Sequence, residues 1–353
     1  MKQPLKILSI IDIPWNSGLA HYAFEQALAL RAGGHEVAFA CPPGSAAARF
    51  AEKTGCAYFP IPGRKELSRY PAAVLELSRL VREKGFHFAC PHTGLAQTVS
   101  WCLKKLNPGL KIVRVKADAR RPSAGFTLSS VDRVISASAF IEDAYLAAGL
   151  DPAKSALIRQ GIETPPFEHA PPAPPLKIGM LGRLDPVKGH EVFLRAAALL
   201  LKDPLAAEFH IAGYEAGVKY ADLEALAAKL GITEAVKFHG KVDGYLEFMR
   251  GCHIGVIASL GSEAVSRAAL EWLACGRPLV ATSAGSLPEF ARRDLLAAPG
   301  DPADLAAKIR LLASSEVRMA DDGPLNREKA VSEYGKREFA EATCWLFETA
   351  ARR

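Results

Sequence analysis

Hydrophobic positions along the chain fall into two alternating rhythms. Short apolar runs, LKILSIID, HEVAFAC, FHFAC, KIVRVKA, DRVISAS and SALIRQG, are separated by stretches whose apolar residues recur at helical spacing, at 19–32, 71–84, 94–106 and 139–148. Strand-length apolar runs alternating with helices predict a parallel sheet covered on both faces. The window TPPFEHAPPAPPLK, residues 164–177, then holds six prolines, which fit neither a helix nor an inner strand and predict a stiff linker. Beyond it the alternation restarts. LKIGMLGR, EFHIAGY, AVKFHG, HIGVIAS, PLVATSA and LLAAPG read as strands, with helices near 188–202, 220–230, 244–250, 266–275 and 302–314. A last amphipathic helical stretch runs over about 326–350. The pattern predicts two doubly wound α/β domains, residues 1–165 and 166–330, and a C-terminal helix, 331–353. Ligands of such domains bind outside the carboxyl ends of the strands, so a cleft between the two sets of ends is expected.

Composition narrows the classes. With 353 residues, 49% hydrophobic and 23% charged, the chain is long enough for two cores. No apolar run has the length needed to cross a bilayer. The start, MKQPLKILSIIDI, lacks a long apolar core and a small-residue cleavage site, so no signal peptide is expected. Seven scattered cysteines without a CxxC pair or a Cys/His cluster predict reduced thiols in a cytoplasmic protein. The net charge of +6 is uneven: residues 1–165 carry 21 Lys and Arg against 13 Asp and Glu. An anionic partner for the first half, or a merely solvated basic surface, would each account for that excess.

Candidate chemistry is sought in the loops after the strands. Gly18 stands between the first strand and the first helix; it either serves the turn or lets a ligand approach the backbone. The segment is neither GxGxxG nor a Walker A loop. In GMLGRLDPVKGHEVFLRAA, Arg183 and Lys188 bracket a strand-to-helix turn and suit a diphosphate, one by bidentate contact and one as a point charge. In GSEAVSRAALEWLACGRP a helix starts near Val265 or Ser266. The backbone N–H groups around Val265, Ser266 and Arg267 then form an anion site. Glu263 would lie on one side of the bound phosphates. Glu271 lies two turns down, suited to paired hydroxyl hydrogen bonds.

Those segments, together with SGLAHYAFEQALALRAGGHEVAFA, ACGRPLVATSAGSLPEF, VDRVISASAFIEDAYLAAGLDPAKSALIRQGIE and EYGKREFAEATCWLFETAARR, resemble the retaining, nucleotide-sugar-dependent glycosyltransferases of group 1. These have two Rossmann-like domains (the GT-B fold) and a last helix that crosses back onto the first domain. The resemblance runs over nearly the whole chain. It implies that Arg183 and Lys188 hold the donor diphosphate, that Glu271 binds ribose hydroxyls and that Glu263 contacts the transferred sugar. It further implies that Gly18 belongs to a loop closing over the donor, and that His92, in FACPHTGLAQ, lies near the sugar. His239, in KFHGKV, borders the expected base pocket. The chain departs from the family pattern in three places. Ala264-Val265-Ser266 stand where Gly-Phe-Gly is common, Cys90-Pro91-His92 replaces a double histidine, and Gln160 replaces an asparagine.

The resemblance implies transfer of a sugar from a nucleoside diphosphate, UDP among the candidates, to an acceptor hydroxyl with retained anomeric configuration. Bacterial cell-surface glycan or lipopolysaccharide assembly would be the setting. No DxD pair occupies a suitable loop, since Asp321-Asp322 read as a polar connector. Cations and a helix end are therefore expected to replace a metal, with no separate cofactor. A nucleotide-sugar epimerase of the same fold and a non-catalytic nucleotide-sugar-binding subunit are the competing readings. The expected partners are the nucleotide-sugar donor and a glycan or glycolipid acceptor, with no nucleic acid. Arg64, Lys65, Arg69, Lys104, Lys105, Arg114, Lys116, Arg120 and Arg121 are candidates for peripheral contact with an anionic membrane surface, at the cytoplasmic face of an inner membrane.

Overall fold

The computed structural model describes residues 3–120, 122, 125–166, 174–202, 205–261 and 263–352. It divides into two compact units, residues 1–161 with 336–353, and residues 162–335. Of the proline-rich window, residues 167–173 lie outside the described residues.

The first unit runs β1 (Lys6–Ile10), α1 (Gly18–Ala32), β2 (Glu36–Cys41), α2 (Ala46–Thr54), β3 (Ala57–Pro60), α3 (Tyr70–Lys84), β4 (Phe88–Pro91), α4 (Gly94–Leu106), β5 (Lys111–Lys116), α5 (Phe126–Ser129), β6 (Arg133–Ser136), α6 (Ala139–Ala147) and β7 (Ser155–Leu157). Its strands are all parallel, in the order β3-β2-β1-β4-β5-β6-β7. The direction of winding therefore reverses between β1 and β4, which register Ile7 against Phe88 and Ile10 against Pro91. β1 and β4 are buried along nearly their whole length, as strands covered on both faces must be. Sequence periodicity predicted every strand here except β3, and every helix except α2 and the short α5. The α2 signal was chemical instead: Ser45 accepts from the Ala48 N–H, and Gly55 ends the helix in the left-handed region.

The second unit runs β8 (Leu176–Leu181), α7 (His190–Leu200), β9 (Ala207–Ala212), α8 (Tyr220–Lys229), β10 (Val236–Phe238), α9 (Tyr245–Arg250), β11 (Ile254–Ile257), α10 (Arg267–Ala274), β12 (Leu279–Thr282), β13 (Leu296–Ala297), α11 (Pro302–Ala313) and α12 (Glu316–Tyr334). Its parallel sheet has the order β10-β9-β8-β11-β12-β13, so its winding reverses between β8 and β11. One core packs Phe193 of α7 edge-on to Phe209 of β9, and a second surrounds the fully buried Trp272 of α10.

Two expectations are corrected at the C-terminus. The single stretch over 326–350 is two helices, α12 and α13 (Lys336–Arg352), broken at the extended Gly335. Asp321 and Asp322 lie inside α12 rather than in a connector, and Asp322 is buried against Arg292 Nη1 at 2.8 Å. Gly323-Pro324 reads as a breaker in sequence, but the glycine is a packing requirement. A Cβ there would come within 2.4 Å of the Gly276 carbonyl oxygen, at the end of α10. The approach lets Arg327 donate to the Ala274 carbonyl at the end of α10 and Asn326 Nδ2 to the Arg277 carbonyl in the following turn at 2.9 Å. α13 packs on the first unit. Phe347 meets Phe88 edge-on at 5.2 Å, Phe339 meets Tyr22 at 5.3 Å, and Lys111 Nζ donates to the last carbonyls at Ala350 and Ala351.

The turn between β8 and α7 depends on Gly189. Its φ is +75°, and a Cβ there would lie 2.0 Å from the Ala258 carbonyl oxygen beyond β11. Gly189→Ala combines a left-handed conformation with a backbone clash, and should cost at least about 2 kcal/mol. Denaturant unfolding followed by far-UV circular dichroism checks it; an unchanged midpoint would show that the turn relaxes freely.

Candidate active site

The loops after β8 and β11 meet at the winding reversal of the second sheet, where doubly wound folds bind ligands. Asp185 Oδ1 accepts the Val187 N–H at 3.1 Å and fixes the first loop as a tight turn ending at Lys188. The two loops are tied by the Leu260 N–H, which donates to the Val187 carbonyl at 2.7 Å. Arg183 projects from the first loop with 49% of its side chain exposed, 3.4 Å from the Asp185 carboxylate. The expected pair of cations is thus on one turn, and Arg183 is the more accessible of the two.

Glu263 departs from expectation. Its carboxylate is buried, with 3% of the side chain exposed, and Oε1 accepts both Lys188 Nζ and, at 2.6 Å, Ser259 Oγ. Its carbonyl accepts the Ser286 N–H at 2.7 Å. The carboxylate holds Lys188 and Ser259 through one oxygen, Oε1. Ser259 was missed by sequence reading. Its only signal is a small hydroxyl at the end of an apolar strand, four residues before a glutamate.

Ser266 is the N-cap of α10 but makes no side-chain capping bond, and the first turn carries no acidic residue. A backbone anion site at Val265, Ser266 and Arg267 therefore meets no competing carboxylate from that turn. Glu271, one turn on, is buried and accepts Arg267 Nε at 2.9 Å. Burial pushes its carboxyl above the usual range, against the pull of Arg267. His239 is exposed; its Nε2 lies 2.9 Å from His210 Nδ1, the two rings stack, and Phe248 meets it edge-on. Partial burial lowers its imidazole.

In the first unit the reversal between β1 and β4 gathers a second cluster. Asp12, just beyond β1 and fully buried, accepts Arg64 Nε at 2.5 Å and the hydroxyl of Thr93, the N-cap of α4. The sequence reading did not single out Asp12; a lone acid at the end of the first strand was the available signal. Gly18 is the first residue of α1, with nothing within 4 Å of where a Cβ would stand, so it leaves open space. His92 is corrected. It is fully buried, its Nε2 lies 3.0 Å from Ser9 Oγ, and burial with the nearby Arg114 charge depresses it to about 3. It is a neutral core group rather than one open to a sugar.

The basic residues divide between buried or paired groups and exposed ones such as Lys65 and Arg120. Arg114 is buried and donates to the Pro91 carbonyl, Lys116 is paired with Asp118, and Lys104 is tied to Asp132 and the Ser130 carbonyl. Arg69 pairs with Glu66, while Lys105 lies over the Trp101 ring. Arg121 lies outside the described residues. Much of the charge excess is therefore engaged internally.

Two pH dependences follow. His92, depressed in the folded state, contributes stability above about pH 6.5 that is lost as pH falls toward 3, because the unfolded chain takes the proton first. His92→Gln should flatten the fall in Tm over that window. An unchanged slope would remove His92 as its source. Glu271, raised by burial, costs stability once it ionises, and the cost disappears as pH falls through its folded value. Glu271→Gln should therefore gain Tm relative to the parent at neutral pH, with the gap closing in acid. A variant that melts lower throughout would mean that Arg267 outweighs burial.

The chain matches the family model for glycosyl transferases group 1 over residues 175–315 and that for the glycosyl transferase 4-like domain over residues 17–161. It is 30% identical over 222 residues to D-inositol 3-phosphate glycosyltransferase 2 of Catenulispora acidiphila, covering 56% of this chain and 51% of that protein. The chain thus spans about half the length of that curated relative. The fold is similar to a glycosyltransferase from Rickettsia africae, with a TM-score of 0.86 at 16% identity over 100% of both chains. It is also similar to Anabaena HepE in complex with UDP and glucose, with a TM-score of 0.80 at 18% identity over 98% of this chain and 100% of that one. Two α/β units of this topology, a cationic turn at the second reversal and two family models that between them span most of the sequence lead to one conclusion: the chain belongs to the group 1 glycosyltransferases.

Proposed function

We propose that the protein transfers a sugar from a nucleoside diphosphate to an acceptor hydroxyl with retention of anomeric configuration, without a metal ion. The observation that carries this reading is the placement of Arg183 and Lys188 on one turn, joined through Glu263 to the start of α10. Arg183 presents a bidentate fork, Lys188 an ammonium, and the helix its first N–H groups. All three are suited to the charge that grows on a departing diphosphate. Glu271 lies farther along the same helix, where a ribose would follow the phosphates, with Arg267 Nε on one of its two carboxylate oxygens. The Anabaena relative holds UDP and glucose, which makes UDP-glucose the first donor to test.

In the step proposed, the acceptor oxygen forms a bond to the anomeric carbon on the face from which the donor oxygen leaves. The carbon–oxygen bond to the diphosphate breaks with its electron pair on the diphosphate. The acceptor proton passes to a departing phosphate oxygen, giving a glycoside and a nucleoside diphosphate.

The acceptor proposed is an anionic polyol or glycolipid, in keeping with the phosphorylated acceptor in the curated relative's name. Among the described residues, no helix is long and apolar enough to cross a membrane. A peripheral approach to an anionic cytoplasmic membrane face is proposed on the exposed Leu67 and Lys65, close in sequence, with Arg69 paired to Glu66.

Arg183→Ala should lower kcat/KM about tenfold or more, the scale of one charge-assisted contact. Its melting temperature should stay close to that of the parent, since Arg183 is half exposed. Steady-state release of UDP, with the product's anomeric configuration read by NMR, tests the reading. Inverted product, unchanged kinetics in the variant, or activity abolished by EDTA and restored by magnesium would each overturn the corresponding part.

A further inference from the structure

We infer that Ser259 is a positioning residue for the diphosphate clamp, acting through Glu263 on Lys188. The inference deepens the donor reading above and rests on it.

Ser259 is fully buried just beyond β11, and its Oγ donates to Glu263 Oε1 at 2.6 Å. Lys188 Nζ donates to the same oxygen. Ser259 is itself held, because Thr282 Oγ1, at the end of β12, donates to its carbonyl at 2.6 Å. The backbone of Glu263 is held by the Ser286 N–H. The backbones of both residues are thus braced from one further segment, the end of β12 and the loop after it, and the member of the group with most remaining freedom is the ammonium, whose side chain is 26% exposed.

That arrangement anchors the lysine without consuming it. An ammonium has three protons, and a single carboxylate oxygen takes one, leaving two for phosphate oxygens. A lysine on its four-carbon stem loses rotamer freedom when it binds. Holding it beforehand moves that loss from binding to folding. The carboxylate would repel a nearby diphosphate if its charge were unopposed. The ammonium answers that charge and the Ser259 hydroxyl hydrogen-bonds it, so the pair contributes oriented donors beside the Arg183 guanidinium. Without the Ser259 hydroxyl, Glu263 keeps its burial but loses one of the two groups that fix Oε1, and the lysine tracks a looser anchor.

Calorimetric titration with UDP tests the inference on the full chain, using Ser259→Ala, Ser259→Cys, Lys188→Ala and the Ser259→Ala/Lys188→Ala double variant. Ser259→Cys nearly keeps the volume and loses only the strong donor, so it carries the test if the alanine variant fails to fold. Each single Ser259 variant should bind UDP roughly tenfold more weakly than the parent, the scale of a hydrogen bond to a charged group. In the Lys188→Ala background the Ser259 change should add nothing, the non-additivity expected of residues acting as one unit. Undiminished UDP affinity in the folded Ser259 variants, or an equal further loss in the Lys188→Ala background, would overturn the inference and leave the donor reading standing. A parent protein that binds none of UDP, GDP and ADP would overturn the donor reading and the inference with it.

Discussion

A buried carboxylate is tolerable only when its charge is answered, and the donor-side unit is organised around that requirement at Glu263. The residue sits beyond β11, where the winding of the sheet reverses. It receives an ammonium from the loop after β8, a hydroxyl from the end of its own strand, and a backbone N–H from the loop after β12. Removing any one would leave polar groups short of partners in a place water barely reaches, which is why such networks are rigid when complete. Lys188, Ser259 and the start of α10 owe their positions to that shared anchor.

The first unit shows the same device at its own reversal. Asp12, beyond β1, receives a guanidinium from Arg64 and a hydroxyl from Thr93, which also caps α4. In both sheets a strand-end acid is answered by one cation and one hydroxyl. Parallel strands point their carboxyl ends the same way, so the loops there are crowded with groups that must be fixed relative to one another. An ion pair supported by a hydroxyl does this.

Glu271 shows the other side of the balance. Burial raises its carboxyl while the Arg267 hydrogen bond and charge pull the other way. The surrounding helix is secured by α12, whose Arg327 satisfies the Ala274 carbonyl at the end of α10, whose Asn326 satisfies the Arg277 carbonyl in the turn beyond it, and whose Gly323 permits the close approach. A locally costly group is retained because the rest of its helix is over-determined, a pattern common at functional sites.

The sequence by itself determined the α/β class, nearly all the strands, the order of the long helices before α12 and the candidate cations. Those features depend on periodicity and on residue types at fixed offsets, which are local properties. α2 was legible only through its caps, and α12 was hidden because Gly323-Pro324 looks like a stop unless the neighbouring Gly276 carbonyl is known. What only the tertiary structure decided is direction and partnership. Glu263 could point out to a ligand or in to Lys188, and His92 could face solvent or Ser9. Arg114 and Lys104 could form a basic surface or answer groups within the unit. Each outcome turns on a partner tens of residues away in the chain, because the desolvation cost of a polar group is set by whatever the fold brings beside it.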